Sequence, residues 1–222
     1  MKAFPLRLLL SVFSLIILTQ RAQAQLDFIK KFLEPDIVQV TEDLRGYIRS
    51  DLPSPSRDIE DELQHIDLIF AKGMELSHKD DATALLAISL GVLNRTSFEP
   101  RFPLIGGIKF PLPAEDSVNA ALRIEKLPRY FFKDSPKDKM GDSAKLVHFF
   151  GSAYLTYETG TRKLPDAIGV WIEEGEGAFK LDSLDHQRDI FINRLGQQFG
   201  NALSEGREVL PSDFLRTTFT EK

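Results

Sequence analysis

Residues 185–203 read DHQRDIFINRLGQQFGNAL, and the spacing inside this stretch decides the fold class. Asp189, Asn193, Gly196 and Gly200 recur at intervals of four, three and four, so on a helix they form one small polar stripe. Ile192, Leu195 and Phe199 form an ordinary apolar face. The two glycines let another helix approach closely, and the carboxylate and amide must then be paired, because buried polar groups are hydrogen-bonded.

Partners for that stripe lie just upstream. Residues 142–159 (DSAKLVHFFGSAYLTYET) predict a helix with Asp142 as N-cap, on which Lys145, His148 and Ser152 share a face. Residues 166–179 (DAIGVWIEEGEGAF) predict another, with Glu173, Glu174 and Glu176 set among Gly169, Gly175 and Gly177. Glycine costs roughly 1 kcal/mol against alanine inside a helix, and close helix contact is the simplest reason for so many. The expected network therefore joins Lys145, His148, Glu173, Glu176, Asp189 and Asn193.

Further towards the N-terminus, residues 82–93 (ATALLAISLGVL) are apolar nearly all round and predict a helix at the centre of the core, capped by Asp80 and Asp81 and ended at Asn94. Ile59, Leu63, Ile66, Phe70 and Met74 mark the most regular amphipathic helix, with His65 expected at its solvated surface. A turn-rich connector, SDLPSPS at 50–56, precedes it. Before that connector, apolar residues recur every three or four positions from Leu26 to Ile48, and Pro35 should split this pattern into two pieces. Residues 97–113 (SFEPRFPLIGGIKFPLP) hold four prolines and a Gly-Gly pair, so they read as a long loop wrapping the core. A short helix should start at Ala114 or Glu115 and run to about Lys126. The connector 127–141 follows, with aromatics at Tyr130, Phe131 and Phe132. Asn94-Arg95-Thr96 fits the glycosylation pattern only by a three-residue match, and we read it as accidental. The expected fold is all-α, a single helical domain of about six to seven helices over 25–222.

The first 24 residues read differently. Lys2 and Arg7 precede an eleven-residue charge-free run, Leu8–Leu18, and Ala22-Gln23-Ala24 supplies the small residues needed before a signal-peptidase cut. At ~1.5 Å per residue the run spans about half of a ~30 Å hydrocarbon core. It therefore reads as a cleaved secretory signal, with no transmembrane span in the mature chain. The chain has no cysteine, which excludes disulfides and a cysteine-linked lipid. Losing Lys2, Arg7 and Arg21 takes the formal charge from −5 to about −8, the wrong sign for a nucleic-acid binder. Export into a bacterial periplasm or envelope is the expectation, with an envelope protein or lipid as partner.

The order Lys-x-x-His-Phe, glutamate on the next helix, then Asp-x3-Asn-x2-Gly-x3-Gly resembles VanZ-like proteins and small predicted periplasmic lipoproteins. The resemblance is carried by Lys145, His148, Phe149, Glu173, Asp189, Asn193, Gly196 and Gly200, over about residues 142–203. It departs where Ala144 replaces the usual aspartate, where Glu176 replaces a glutamine, and in helices too polar to span a membrane. Those families lend no settled chemistry and name no cofactor.

Two functions fit the C-terminal residues. In one, His148 with Glu173 or Asp189 is a general base with an orienting carboxylate and Ser152 a nucleophile, giving a hydrolase for an envelope lipid or glycan. In the other, the network is buried and fixes how the last helices pack in a non-enzymatic binding or structural protein. A metal held by His148, Glu173, Glu176 and Asp189 has suitable ligand types but no compact spacing. Asp182 and Asp185 around Ser183 lack an EF-hand pattern and read as caps. An enzyme should gather His148 and at least two carboxylates in an open pocket, whereas a scaffold should bury and pair them.

Overall fold

Side chains and prolines set most of the helix starts. In the computed structural model, which describes residues 34–93, 97–98, 101–102, 106–107, 110–111, 115–160 and 184–217, seven helices form a single helical domain. Helix α1 (Pro35–Ser50) has its proline in the first turn, where a missing N–H costs nothing. The expected split thus falls at the start of a helix, and the Leu26 piece lies outside the described residues. Helix α2 (Ile59–Leu76) is capped by Asp58, whose carboxylate accepts from Glu60 N at 2.8 Å and Asp61 N at 3.3 Å. Helix α3 (Asp81–Gly91) is capped by Asp80 through Thr83 N at 2.7 Å.

Helix α3 is buried at nearly every position, as its all-round apolarity requires, and packs against α1, α2 and the later helix α5 (Lys145–Thr159). It ends at Gly91 with Val92 as a right-handed C-cap, so Asn94 is not what stops it, and the glycosylation triplet lies outside the described residues. Strands β1 (Ser97–Phe98) and β4 (Phe110–Pro111) pair antiparallel, as do β2 (Arg101–Phe102) and β3 (Gly106–Gly107), and both pairs keep one register. The expected loop therefore contains two short ladders, because an extended Pro-rich chain that cannot form helix can still pair its backbone.

Helix α4 (Ser117–Lys126) begins later than expected. Asp116 is its N-cap, accepting from Val118 N and Asn119 N at 2.9 Å each. The preceding Glu115 is drawn instead to arginines. Helix α5 likewise begins at Lys145 rather than at Asp142, which is fully buried against Arg188 and does not cap. Gly160 closes α5 in the left-handed conformation at φ 58°. Helix α6 (Leu184–Ser204) follows, then α7 (Pro211–Leu215), a short element the sequence did not suggest. Helix α7 docks on α2 through Ser212 N, which donates to Asp67 at 2.9 Å.

The core centres on Phe199 of α6. Its ring stacks on Phe149 of α5 at 5.4 Å and meets Phe70 of α2 and Phe214 of α7 edge-on at 5.2 and 5.5 Å. Burying one such ring contributes about 2 kcal/mol, and its three neighbours tie α2, α5 and α7 to α6. Phe131 and Phe132 of the connector are also buried. His65 is buried too, against the expectation of a surface position. It lies 3.9 Å from Glu62, a fully buried carboxylate one turn earlier. Glu62 accepts from Ser56 N at 2.5 Å, Tyr130 N at 3.0 Å and Arg129 N, bolting the start of α2 to the connector.

Candidate functional site

The glycine stripe of α6 does what its spacing implies. A Cβ at Gly196 would run into the carbonyl oxygen of Phe149, and one at Gly200 into that of Ala153. Helices α5 and α6 therefore touch backbone to side, and theirs is the most extensive interface among the described elements. At that separation the polar residues on the two facing sides meet in pairs. Lys145 Nζ donates to Asp189 Oδ1 at 2.5 Å, and Ser152 Oγ donates to Asn193 Oδ1 at 2.9 Å. His148 Nε2 stands 3.7 Å from the same Asp189 oxygen, beyond hydrogen-bond length. It is an electrostatic neighbour of the carboxylate, and Lys145 is the bonded partner.

One turn towards the connector the rung continues with residues the sequence reading missed. Arg188 donates to Asp142 Oδ1 at 2.7 Å and also pairs with Asp134. Burial raises the pKa of Asp142, while hydrogen bonds from Ser135 and Arg188 pull it back down. For Arg188 burial acts against the charge, but the bonds and charges of Asp142 and Asp134 outweigh it, so its pKa is raised. A readable signal existed: Arg188 adjoins Asp189 on a helix already assigned to the network. The partner aspartates carry no spacing relation to it, being 46 and 54 residues away.

The arrangement has limited chemistry. The Ser152 hydroxyl is spent on an amide oxygen and the residue is buried, so it is not poised beside a base. Glu173, Glu176, the glycine-rich segment 166–179 and Asp182 lie outside the described residues, as do the side chain of Asp185 and the proposed leader 1–24. Of the four residues considered for a metal, His148 and Asp189 are described, and among the described residues no group of three or more His, Cys, Asp or Glu could hold a metal ion. Among those residues, too, no helix is long and apolar enough to cross a membrane.

Two further polar clusters lie outside this seam. Arg45 and Arg123, both buried, reach the carbonyls at the end of α3. Arg45 donates to Leu90 O at 3.2 Å, and Arg123 donates to Gly91 O and Leu93 O at 2.9 Å each. Cations at a helix C-terminus complement its dipole. Arg123 also grips Glu115 at 2.8 Å, so one guanidinium holds the chain at 93 and at 115 together. Burial and the neighbouring Arg123 lower the pKa of Arg45 to about 10, with Glu115 and Glu42 opposing. Close by is a cleft of about 490 Å³ whose lining includes Arg49, Arg57, Lys126, Arg129 and Tyr130. It contains none of the residues that the sequence marked as catalytic candidates.

Comparison with known proteins adds no relative: no family model, no curated protein and no solved structure matches the chain.

Proposed function

We propose that this chain is an exported protein of the bacterial cell envelope that works by binding or by scaffolding, without catalysis. Its polar C-terminal network is then a packing device. The observation that carries this reading is the pairing across α5 and α6: Asp189 is held by Lys145, and the Ser152 hydroxyl is committed to Asn193. A hydrolase would need that hydroxyl free beside His148 and the pair open to substrate. Export is supported by the charged start, the eleven-residue apolar run and the Ala-x-Ala site of residues 1–24. The resemblance of 142–203 to VanZ-like proteins and small periplasmic lipoproteins is part of the same proposal. It agrees with an envelope setting through Lys145, His148, Phe149, Asp189, Asn193, Gly196 and Gly200.

The test is expression of the full chain in a bacterium, with fractionation and intact-mass measurement. The expected product is periplasmic and begins at Gln25; a cytoplasmic product retaining residues 1–24 would overturn the export reading. Purified protein and its His148→Ala variant should both leave envelope lipid and glycan substrates unhydrolysed. Hydrolysis by the wild type that His148→Ala abolishes would instead establish the hydrolase.

A further inference from the structure

In this acidic chain a cleft among the described residues runs the other way in charge. Arg49, Arg57, Lys126 and Arg129 line it against a single carboxylate, Glu125, whereas the chain as a whole carries −5. Among the described residues, none of Arg57, Lys126 and Arg129 takes part in an ion pair. Lys126 Nζ donates to Leu52 O at 3.3 Å and Ser54 Oγ at 3.1 Å, and Arg129 donates to the carbonyls of Ile124, Leu127 and Lys139. These bonds hold the cations in place without neutralising them.

Arg57 is the most available. Its guanidinium lies 4.7 Å from the Tyr130 ring centroid, a cation–π contact that fixes the plane and leaves the N–H edges open. Tyr130 is itself pinned, by its hydroxyl to Asp138 O at 2.8 Å and by its N–H to Glu62. Of the acids following Arg57, Asp58 is engaged on α2 N–H groups and Glu60 on Arg216, while Asp61 accepts from the lining Ser56 hydroxyl and Glu62 is buried behind the wall on the N–H groups of Ser56, Arg129 and Tyr130. A concave site lined mainly by one sign of charge focuses potential on an ion of the other sign, and a fixed guanidinium edge matches phosphate or carboxylate geometry. The cleft's size falls in the range of small-molecule sites. On one rim α4 presents Leu122, 47% exposed, and one turn earlier Val118, 68% exposed. These two apolar side chains share a helix face.

We infer that this cleft binds the anionic head of a small amphiphile, of the phosphate-monoester kind, with Arg57 and Lys126 on the head and Leu122 and Val118 under the first part of the alkyl chain. The inference rests on reading the chain as a binder and makes no use of export. A cleft that ignores anions would fail here while processed export stood, and a chain left in the cytoplasm would fail there while the cleft stood.

Calorimetric titration of the full chain with dodecyl phosphate below its micelle concentration, at low salt, is the test, with inorganic phosphate and dodecyl maltoside as the other arms. Dodecyl phosphate should bind one per chain, inorganic phosphate more weakly, and dodecyl maltoside not at all. Arg57→Ala should weaken dodecyl phosphate about tenfold, the loss expected for one charge-assisted contact, and Arg57→Gln should do the same should the alanine variant fail to fold. Leu122→Ser should weaken dodecyl phosphate and leave inorganic phosphate unchanged. Binding of dodecyl maltoside as tightly as dodecyl phosphate, or affinity unchanged in both Arg57 variants, would overturn the inference. Inorganic phosphate binding as tightly as dodecyl phosphate would overturn its apolar half.

Discussion

The α5/α6 seam and the α3 terminus solve the same problem by opposite means. At the seam two helices approach so closely that glycines face carbonyl oxygens, and short polar side chains bridge a narrow gap. At the end of α3, where Gly91 packs against Leu44 of α1, two long arginines from α1 and α4 reach in to the terminal carbonyls. The seam depends on the absence of side-chain volume, and the terminus on its presence. Substitutions should therefore act in opposite senses: adding a methyl breaks the first, and shortening a side chain breaks the second.

The largest effect is expected at the α3 terminus. Arg123→Met leaves Glu115 and the carbonyls of Gly91 and Leu93 without their buried donor, and loss of one partner of a buried pair costs about 4 kcal/mol. Urea unfolding should show this as a lowered midpoint; a change below about 1 kcal/mol would mean that the cluster behaves as an exposed one. Gly200→Ala comes next, at about 3 kcal/mol, because its methyl meets backbone that cannot turn aside. The control Gly151→Ala, on the same seam helix with nothing within 4 Å of the added carbon, should be neutral or slightly stabilising. Equal losses for the two alanines would refute a volume-limited seam.

Smaller effects refine the comparison. Ser152→Ala removes one neutral hydrogen bond across the seam and should cost about 1 kcal/mol. On α2, where α7 docks, Asp67 has a raised pKa, chiefly through burial, with the Ser212 bonds opposing. Its folded pKa thus exceeds the unfolded value of about 3.9. The linked stability is fully present below that value and is lost as pH rises through the folded pKa. Asp67→Asn keeps the acceptor for Ser212 N but cannot titrate, so the wild type should compare better with it at pH 4 than at pH 7. An identical difference at both would remove Asp67 from the pH dependence.

How far the sequence disclosed these regions follows from the same contrast. The seam was legible because its residues repeat at helical spacing on one face: Gly196 and Gly200 lie against α5 and Asp189 meets Lys145, whereas Asn193 pairs with Ser152, which the spacing had suggested only as a nucleophile. The arginine clamp was not, since Arg45 and Arg123 recognise backbone carbonyls, which leave no side-chain pattern. Helix starts went astray where two acids or a buried acid competed for the capping role: Glu115 lost it to Asp116, and Asp142 gave it up for Arg188. His65 was misplaced because its neighbour Glu62 was not recognised as part of the buried face. Yet Glu62 falls three residues after Ile59 and four before Ile66, a carboxylate inside an apolar stripe, and that spacing was open to reading.

The most direct test of the seam as a structural lock is a double-mutant cycle on Lys145 and Asp189. Lys145→Met, Asp189→Leu and the double variant would be unfolded in urea alongside the wild type. The two side chains are 8% and 15% exposed, so the pair should couple by about 2 kcal/mol, the double variant losing much less than the sum of the singles. Additive losses, with no coupling between the two residues, would contradict a locked seam and return Asp189 to the list of residues free for chemistry.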